Sequence, residues 1–267
     1  MVQFNEKISI CYTCCGPTYR KSALRQLTEN CVEHPNVSYC VLTDDKEYFS
    51  GVTLQNFLVN SIEDFYDEFP LSEKYEPYLK GVDDNDYAKK FIKQTYKFPY
   101  ATMRFQMLQA KKFGALNVAL LNTDTTINLE VLTEDLLKNK NIIYNAVSLW
   151  LENYEDMRIK TAVDVLDEKH NLTATFPIMV FDEAARLYVL EDMAKLDELF
   201  FLWNDLVESL YQNGQMAHHI GSYVIHDEFI LASIYNCIRI NRPTNDGISH
   251  KIFNVIHNAS EERFWTV

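Results

Sequence analysis

The sequence predicts an α/β fold, one domain with a mixed, mainly parallel central sheet flanked by helices. Three observations predict it. Short, almost wholly apolar runs at Lys7–Thr13, Val37–Leu42 and Asn117–Leu121 have the length and composition of strands buried on both faces. Between the first two lies Ser22–Glu33, with Ala23, Leu24, Leu27 and Cys31 at helical spacing on one side. Strand, helix and strand in succession make a βαβ unit, whose crossover demands a parallel pair.

The remaining elements follow in order. The first strand stops at Gly16-Pro17, a turn signal, and His34-Pro35-Asn36 breaks the chain before the second strand, which ends at Thr43-Asp44-Asp45. Residues 50–95 are acidic and aromatic and predict loops and short helices. Pro99–Phe113 predicts a helix with Tyr100, Met103, Met107 and Leu108 on its apolar faces and Gly114 at the C-terminal stop. Strand-like runs at Ile142–Leu151 and Ala174–Phe181 precede a long helix from about Leu190 to Tyr211. The second half of Val224–Ile240 predicts helix, and Phe253–Ile256 a last strand. With no repeat and no linker, residues 1–267 read as one domain.

Composition removes several classes. At 267 residues and 47% hydrophobic, the chain has the material for a sizeable core. A formal charge of −13, with no cluster of Lys and Arg, argues against a protein that grips a nucleic-acid backbone. The acidic runs Glu63–Glu76 and Asp83–Asp86 read as solvated faces. No apolar stretch has the ~18 residues of a membrane span, and the polar start carries no secretory pattern. The six cysteines read as reduced, buried thiols, which predicts a cytoplasmic protein. Cys11-x-x-Cys14-Cys15 would be half a zinc site, but no second Cys/His pair at ligand spacing completes it.

The chemistry is concentrated after the third apolar run. A strand that delivers acidic side chains at its carboxyl end is the usual place for a site in an open α/β sheet. Asn122 and Asp124 are two positions apart, so an extended chain would point both to one side. A hard divalent cation takes such oxygen donors and leaves positions open for phosphates. Taken alone, an Asp after a strand is more often a turn residue or a helix cap. His218-His219 reads as loop, because adjacent histidines face different ways.

Larger segments add to this. Tyr100-Ala-Thr-Met-Arg104-Phe, then Asn117-Val-Ala-Leu-Leu-Asn-Thr-Asp-Thr-Thr-Ile127, then Leu132-Thr-Glu-Asp-Leu136 resemble the central block of glycosyltransferase family 8, the glycogenin and galactosyltransferase type, whose enzymes have the nucleotide-diphospho-sugar (GT-A) fold. Ile8–Tyr19 resembles that family's uridine-binding start, and Val41-Leu-Thr-Asp-Asp45 its second strand end. Val255-Ile-His257-Asn-Ala-Ser-Glu-Glu-Arg263-Phe-Trp265 resembles its closing His-x-x-Gly-x-x-Lys-Pro-Trp motif. His226-Asp227-Glu228 is similar to the His-Asp-Glu segment of the blood-group transferase type. The pieces stand in the family's order across nearly the whole chain.

The resemblance implies a metal-dependent transferase moving a hexose from a UDP-sugar to an acceptor hydroxyl with retention of configuration. Residues 1–127 would form the nucleotide-sugar half and 128–267 the acceptor half with the closing segment. Asp124 and His257 match metal ligands, and an imidazole in the set favours Mn²⁺ over Mg²⁺. Asn122 stands at the first acid of Asp-x-Asp, and Arg263 stands where the family has a Lys that neutralises the leaving diphosphate. Thr13, Tyr19, Asp44 and Arg104 would contact the donor, and Asp227 and Glu228 would carry the catalytic role. The acceptor would be a glycan, a protein or a small molecule. The chain departs from the pattern at Asn122 for Asp, Ser260 for Gly and Phe264 for Pro. Two alternatives stand beside this reading: a nucleotide- or carbohydrate-binding relic without turnover, and a transferase acting on modified nucleic acid.

Overall fold

A computed structural model describes residues 7–70, 99–132, 143–144, 147–151, 157–174, 178–181, 185–189, 193–212, 233–234, 236–238 and 253–255. A six-stranded sheet forms its centre. The first strand, β1 (Ile8–Cys14), pairs in parallel with β2 (Val37–Thr43) on one side and with β4 (Asn117–Leu121) on the other. Strand β3 (Phe57–Ser61) extends the parallel set beyond β2. On the far side of β4 come β9 (Ala185–Val189) and β6 (Ile143–Tyr144), each antiparallel to its neighbour, giving the order β3-β2-β1-β4-β9-β6. The predicted mixed, mainly parallel sheet is therefore present, with four of its six strands parallel. Two small antiparallel pairs accompany it. Strand β5 (Thr125–Ile127) pairs with β10 (Phe253–Val255), and β7 (Val147–Leu151) with β8 (Ile178–Phe181).

Strand alternation divides the core in two. Ile8, Ile10, Tyr12 and Cys14 of β1 turn to one face, where they pack with Ala23 and Leu27 of α1 (Pro17–Glu29). Cys11 and Cys40 turn to the other, against Met103, Met107 and Ala110 of α3 (Pro99–Lys112). That second face is sealed by α4 (Met157–His170), through Ile159, Val163 and Leu166, and by α5 (Met193–Gln212), through Leu199, Trp203 and Leu206. Every residue of β2 is buried, which explains why its sequence is a continuous apolar run rather than an alternation.

Helix α1 begins five residues before the predicted start. Gly16 precedes it at φ 91°, a left-handed conformation that costs glycine little, and Pro17 opens the helix, where its missing N–H is no loss. The first turn, Pro17-Thr18-Tyr19, is exposed beyond the sheet and so carries none of the apolar spacing that marks the rest. Helix α3 ends as predicted, with Gly114 at φ 70°.

Within the acidic aromatic stretch, the structure places β3 and a short α2 (Ile62–Glu68). Ser61 caps α2 reciprocally: its hydroxyl accepts from the Asp64 N–H at 3.2 Å, and the Asp64 carboxylate accepts from the Ser61 N–H at 2.7 Å. Replacing Ser61 with Ala is expected to cost about 1 kcal/mol, read from the shift in a urea-unfolding midpoint.

Candidate active site at the carboxyl edge of the parallel strands

The chain runs outward from β1 to β2 and β3, then returns through α3 to place β4 on the opposite side of β1. The β1–β4 boundary is thus a topological switch point, where the loops following the two strands diverge and leave a crevice. Three loops meet along this edge: residues 15–16 after β1, 44–46 after β2 and 122–124 after β4. Thr13, Tyr19, Asp44, Asn122 and Asp124 all lie on or next to these loops.

Asn122 and Asp124 do not lie on an extended chain. The Thr125 N–H donates to the Asn122 carbonyl at 3.0 Å, closing a turn, so strand alternation does not govern where the two side chains point. The turn nevertheless leaves Asn122 exposed and Asp124 half-buried, while Thr123 between them is buried. The Thr123 carbonyl explains the arrangement. It accepts from the Ser22 hydroxyl at 2.9 Å and the Gln26 amide at 3.2 Å, both on α1. Anchored from behind, the turn presents its first and third residues. The Asp124 carboxylate lies 3.4 Å from the Thr125 hydroxyl, and among the described residues no Lys or Arg pairs with it.

The β2 end is organised differently. The Asp44 carboxylate accepts from the Gly16 N–H at 3.0 Å and pairs with the Arg20 guanidinium at 2.6 Å. The Asp44 hydrogen bond holds Arg20 above its ordinary value, so this cation is permanent. Arg20 also lies 5.5 Å from the centre of the Tyr48 ring, within cation–π range. Tyr19, the residue before Arg20 on α1, is 45% exposed.

Beneath the crevice, buried Gln106 of α3 donates to the Tyr12 carbonyl at 3.0 Å and lies 3.4 Å from the Thr13 hydroxyl. It thereby ties α3 to the carboxyl end of β1. Arg104, two residues before it, pairs with Asp197 of α5 and so ties α3 to α5.

The cysteines at this edge are packing groups. Burial pushes the Cys14 thiol up to about 12 and raises Cys15 as well, so both stay protonated at neutral pH. Among the described residues, no group of three or more His, Cys, Asp and Glu side chains gathers in a metal-binding arrangement. His257, Arg263, Asp227 and Glu228 lie outside the described residues. Sequence reasoning missed Arg20, Ser22, Gln26 and Gln106. Their partners are distant along the chain and three of them act on backbone carbonyls, so no local motif marks them.

No protein-family model matches the sequence, and no curated protein matches it either. Solved structures do resemble the fold. Mouse xyloside xylosyltransferase 1 in its apo form is similar at a TM-score of 0.46 and 13% identity, over 86% of this chain and 81% of that one. The apo bifunctional glycosyltransferase WbbM is similar at 0.40 and 10%, over 87% of this chain and 38% of its own. The apo glycosyltransferase GlyE of Streptococcus pneumoniae TIGR4 is similar at 0.39 and 13%, over 86% and 43%. This chain therefore spans less than half the length of the latter two. Among the described residues, no helix is long and apolar enough to cross a membrane.

Proposed function

We propose that the chain is a glycosyltransferase that binds a nucleotide sugar along the carboxyl edge of β1, β2 and β4 and passes the sugar to an acceptor hydroxyl. The observation that carries this reading is the Asn122–Thr125 turn. It stands at a topological switch point, is anchored to α1 through the Thr123 carbonyl, and presents Asp124 with no protein cation on it among the described residues.

The donor set suits a hard divalent cation. Asp124 offers a carboxylate and Asn122 a neutral carbonyl oxygen, with room left for phosphate oxygens. His257, by its match to the family motif, would add an imidazole, and the mixed set favours Mn²⁺ over Mg²⁺. Such an ion would neutralise charge growing on the leaving diphosphate. In the proposed arrangement Asp124 and His257 hold the ion, while Arg263 adds a bidentate cation to the phosphates. Thr13 and Tyr19 bind the nucleoside of a UDP donor, Asn122 meets a ribose hydroxyl or the metal's bound water, Arg104 faces the donor from α3, and Asp227 or Glu228 serves the retaining transfer of a hexose.

A screen of nucleotide sugars for metal-dependent release of the nucleoside diphosphate tests this directly. Release with one donor supports transfer. UDP binding with no release from any donor would identify a binding protein instead. A companion measurement is thermal unfolding with UDP and Mn²⁺, which are expected to stabilise the fold jointly. Ligand at about 100 times its dissociation constant adds about 2.7 kcal/mol, and unmoved melting across nucleotides and concentrations would sink the reading.

A further inference from the structure

We infer that Arg20 is a positioning residue for nucleotide binding, acting through Asp44 to fix the loop between β1 and α1. Asp44 then serves the site as a bracket rather than as a direct ligand contact. The inference rests on the function proposed above and names a residue that reading does not use.

The geometry forms a closed ring. The Gly16 N–H donates to one Asp44 oxygen at 3.0 Å, and the other Asp44 oxygen meets Arg20 Nη1 at 2.6 Å. The Arg20 backbone N–H returns to the Gly16 carbonyl at 3.0 Å, the first turn of α1. One carboxylate therefore fixes both the glycine, at φ 91°, and the helix that follows it. Both of its oxygens are already engaged by the protein, which leaves it poorly placed to take a ribose or base as its main partner.

Arg20 is itself held between Asp44 and Tyr48. Its side chain and that of Asp44 are 15% and 14% exposed, so solvent screens the pair less than it would a surface pair. Tyr48 lies against the guanidinium, and the Tyr48 N–H donates to Asp45 at 3.2 Å, tying that ring to the same loop. The Arg20 Nε is buried with no hydrogen-bond partner among the described residues, so the side chain is packed in place rather than swinging in water. Removing the guanidinium has two consequences for an anionic ligand. It loosens the Gly16 loop, and it uncovers the Asp44 charge at the edge where a diphosphate would arrive.

The two consequences separate by substitution. Asp44→Asn keeps an acceptor for the Gly16 N–H and removes the charge. Calorimetric titration with UDP and Mn²⁺ would compare the wild type with R20A, R20K and the R20A/D44N double variant. R20A is expected to weaken UDP by about tenfold, R20K by less because it restores the charge without the fork, and R20A/D44N to recover part of the loss. In donor hydrolysis the R20A loss falls on KM, with kcat changed less than about twofold. Hydrogen exchange at the Gly16 amide, without nucleotide, is expected to quicken in R20A. Wild-type UDP affinity in both R20A and R20K, unchanged Gly16 exchange, or a loss confined to kcat would each overturn the inference. Failure of the wild type itself to bind UDP would overturn the glycosyl-transfer reading instead. Should R20A fold poorly, R20K against D44N still separates charge from fork.

Discussion

Replacing Asp124 with Ala is expected to abolish metal-dependent turnover, a loss of about a hundredfold or more. The substitution removes the one carboxylate of the Asn122–Thr125 turn. It leaves the anchor intact, because Ser22 and Gln26 bond the Thr123 carbonyl and not the Asp124 side chain. The fold should therefore survive, and a circular-dichroism melt within about 1 kcal/mol of wild type would show that it does. Asn122→Asp is expected to keep or raise activity, since it adds a second acid beside the first. If Asp124 and His257 share one ion, their losses should not add in the double variant. Full turnover in D124A, or strictly additive losses, would reduce Asp124 to a turn residue.

Trp203→Ala should be the most damaging change among these to stability, costing about 3–5 kcal/mol. Trp203 is fully buried on α5, in the cluster that joins α3, α4 and the sheet face carrying Cys11 and Cys40. Nothing small can refill an indole-sized space among residues that are themselves packed on all sides. Against a typical total of about 5–15 kcal/mol, such a loss lowers the melting temperature by many degrees. A melt displaced by less than about 1 kcal/mol would mean that α5 contributes little to the core.

The central strands and two long helices were legible because burial writes a simple pattern. A strand covered on both faces, such as Val37–Thr43, must be apolar throughout, and α5 carries apolar residues over its full length. Edges were less legible. Phe57–Ser61 is an outer strand whose first three residues are only half-buried, so its composition blends into the acidic stretch around it. Its neighbour α2 did carry a signal, Ser61-x-x-Asp64, that marks a helix start. Helix α4 was not predicted: Ile159, Ala162, Val163 and Leu166 fall at helical spacing, but its dense charges obscure the stripe. At the site, Asp124 could be picked out because it follows a buried strand. Arg20 could not: its meaning depends on Asp44, which only the parallel register of β1 and β2 brings alongside it.

Helix α1 carries Arg20 toward the loop after β2 and, less than two turns later, Ser22 and Gln26 toward the turn after β4. It therefore works as a crossbar between two loops that share no strand. A shift of the helix along its own axis would drag on Asp44 at one end and on Thr123 at the other. Neither loop can be repositioned alone without stretching a hydrogen bond to the bar. The same packing that lays Ala23 and Leu27 on the sheet thus also sets the spacing between the two rims of the crevice.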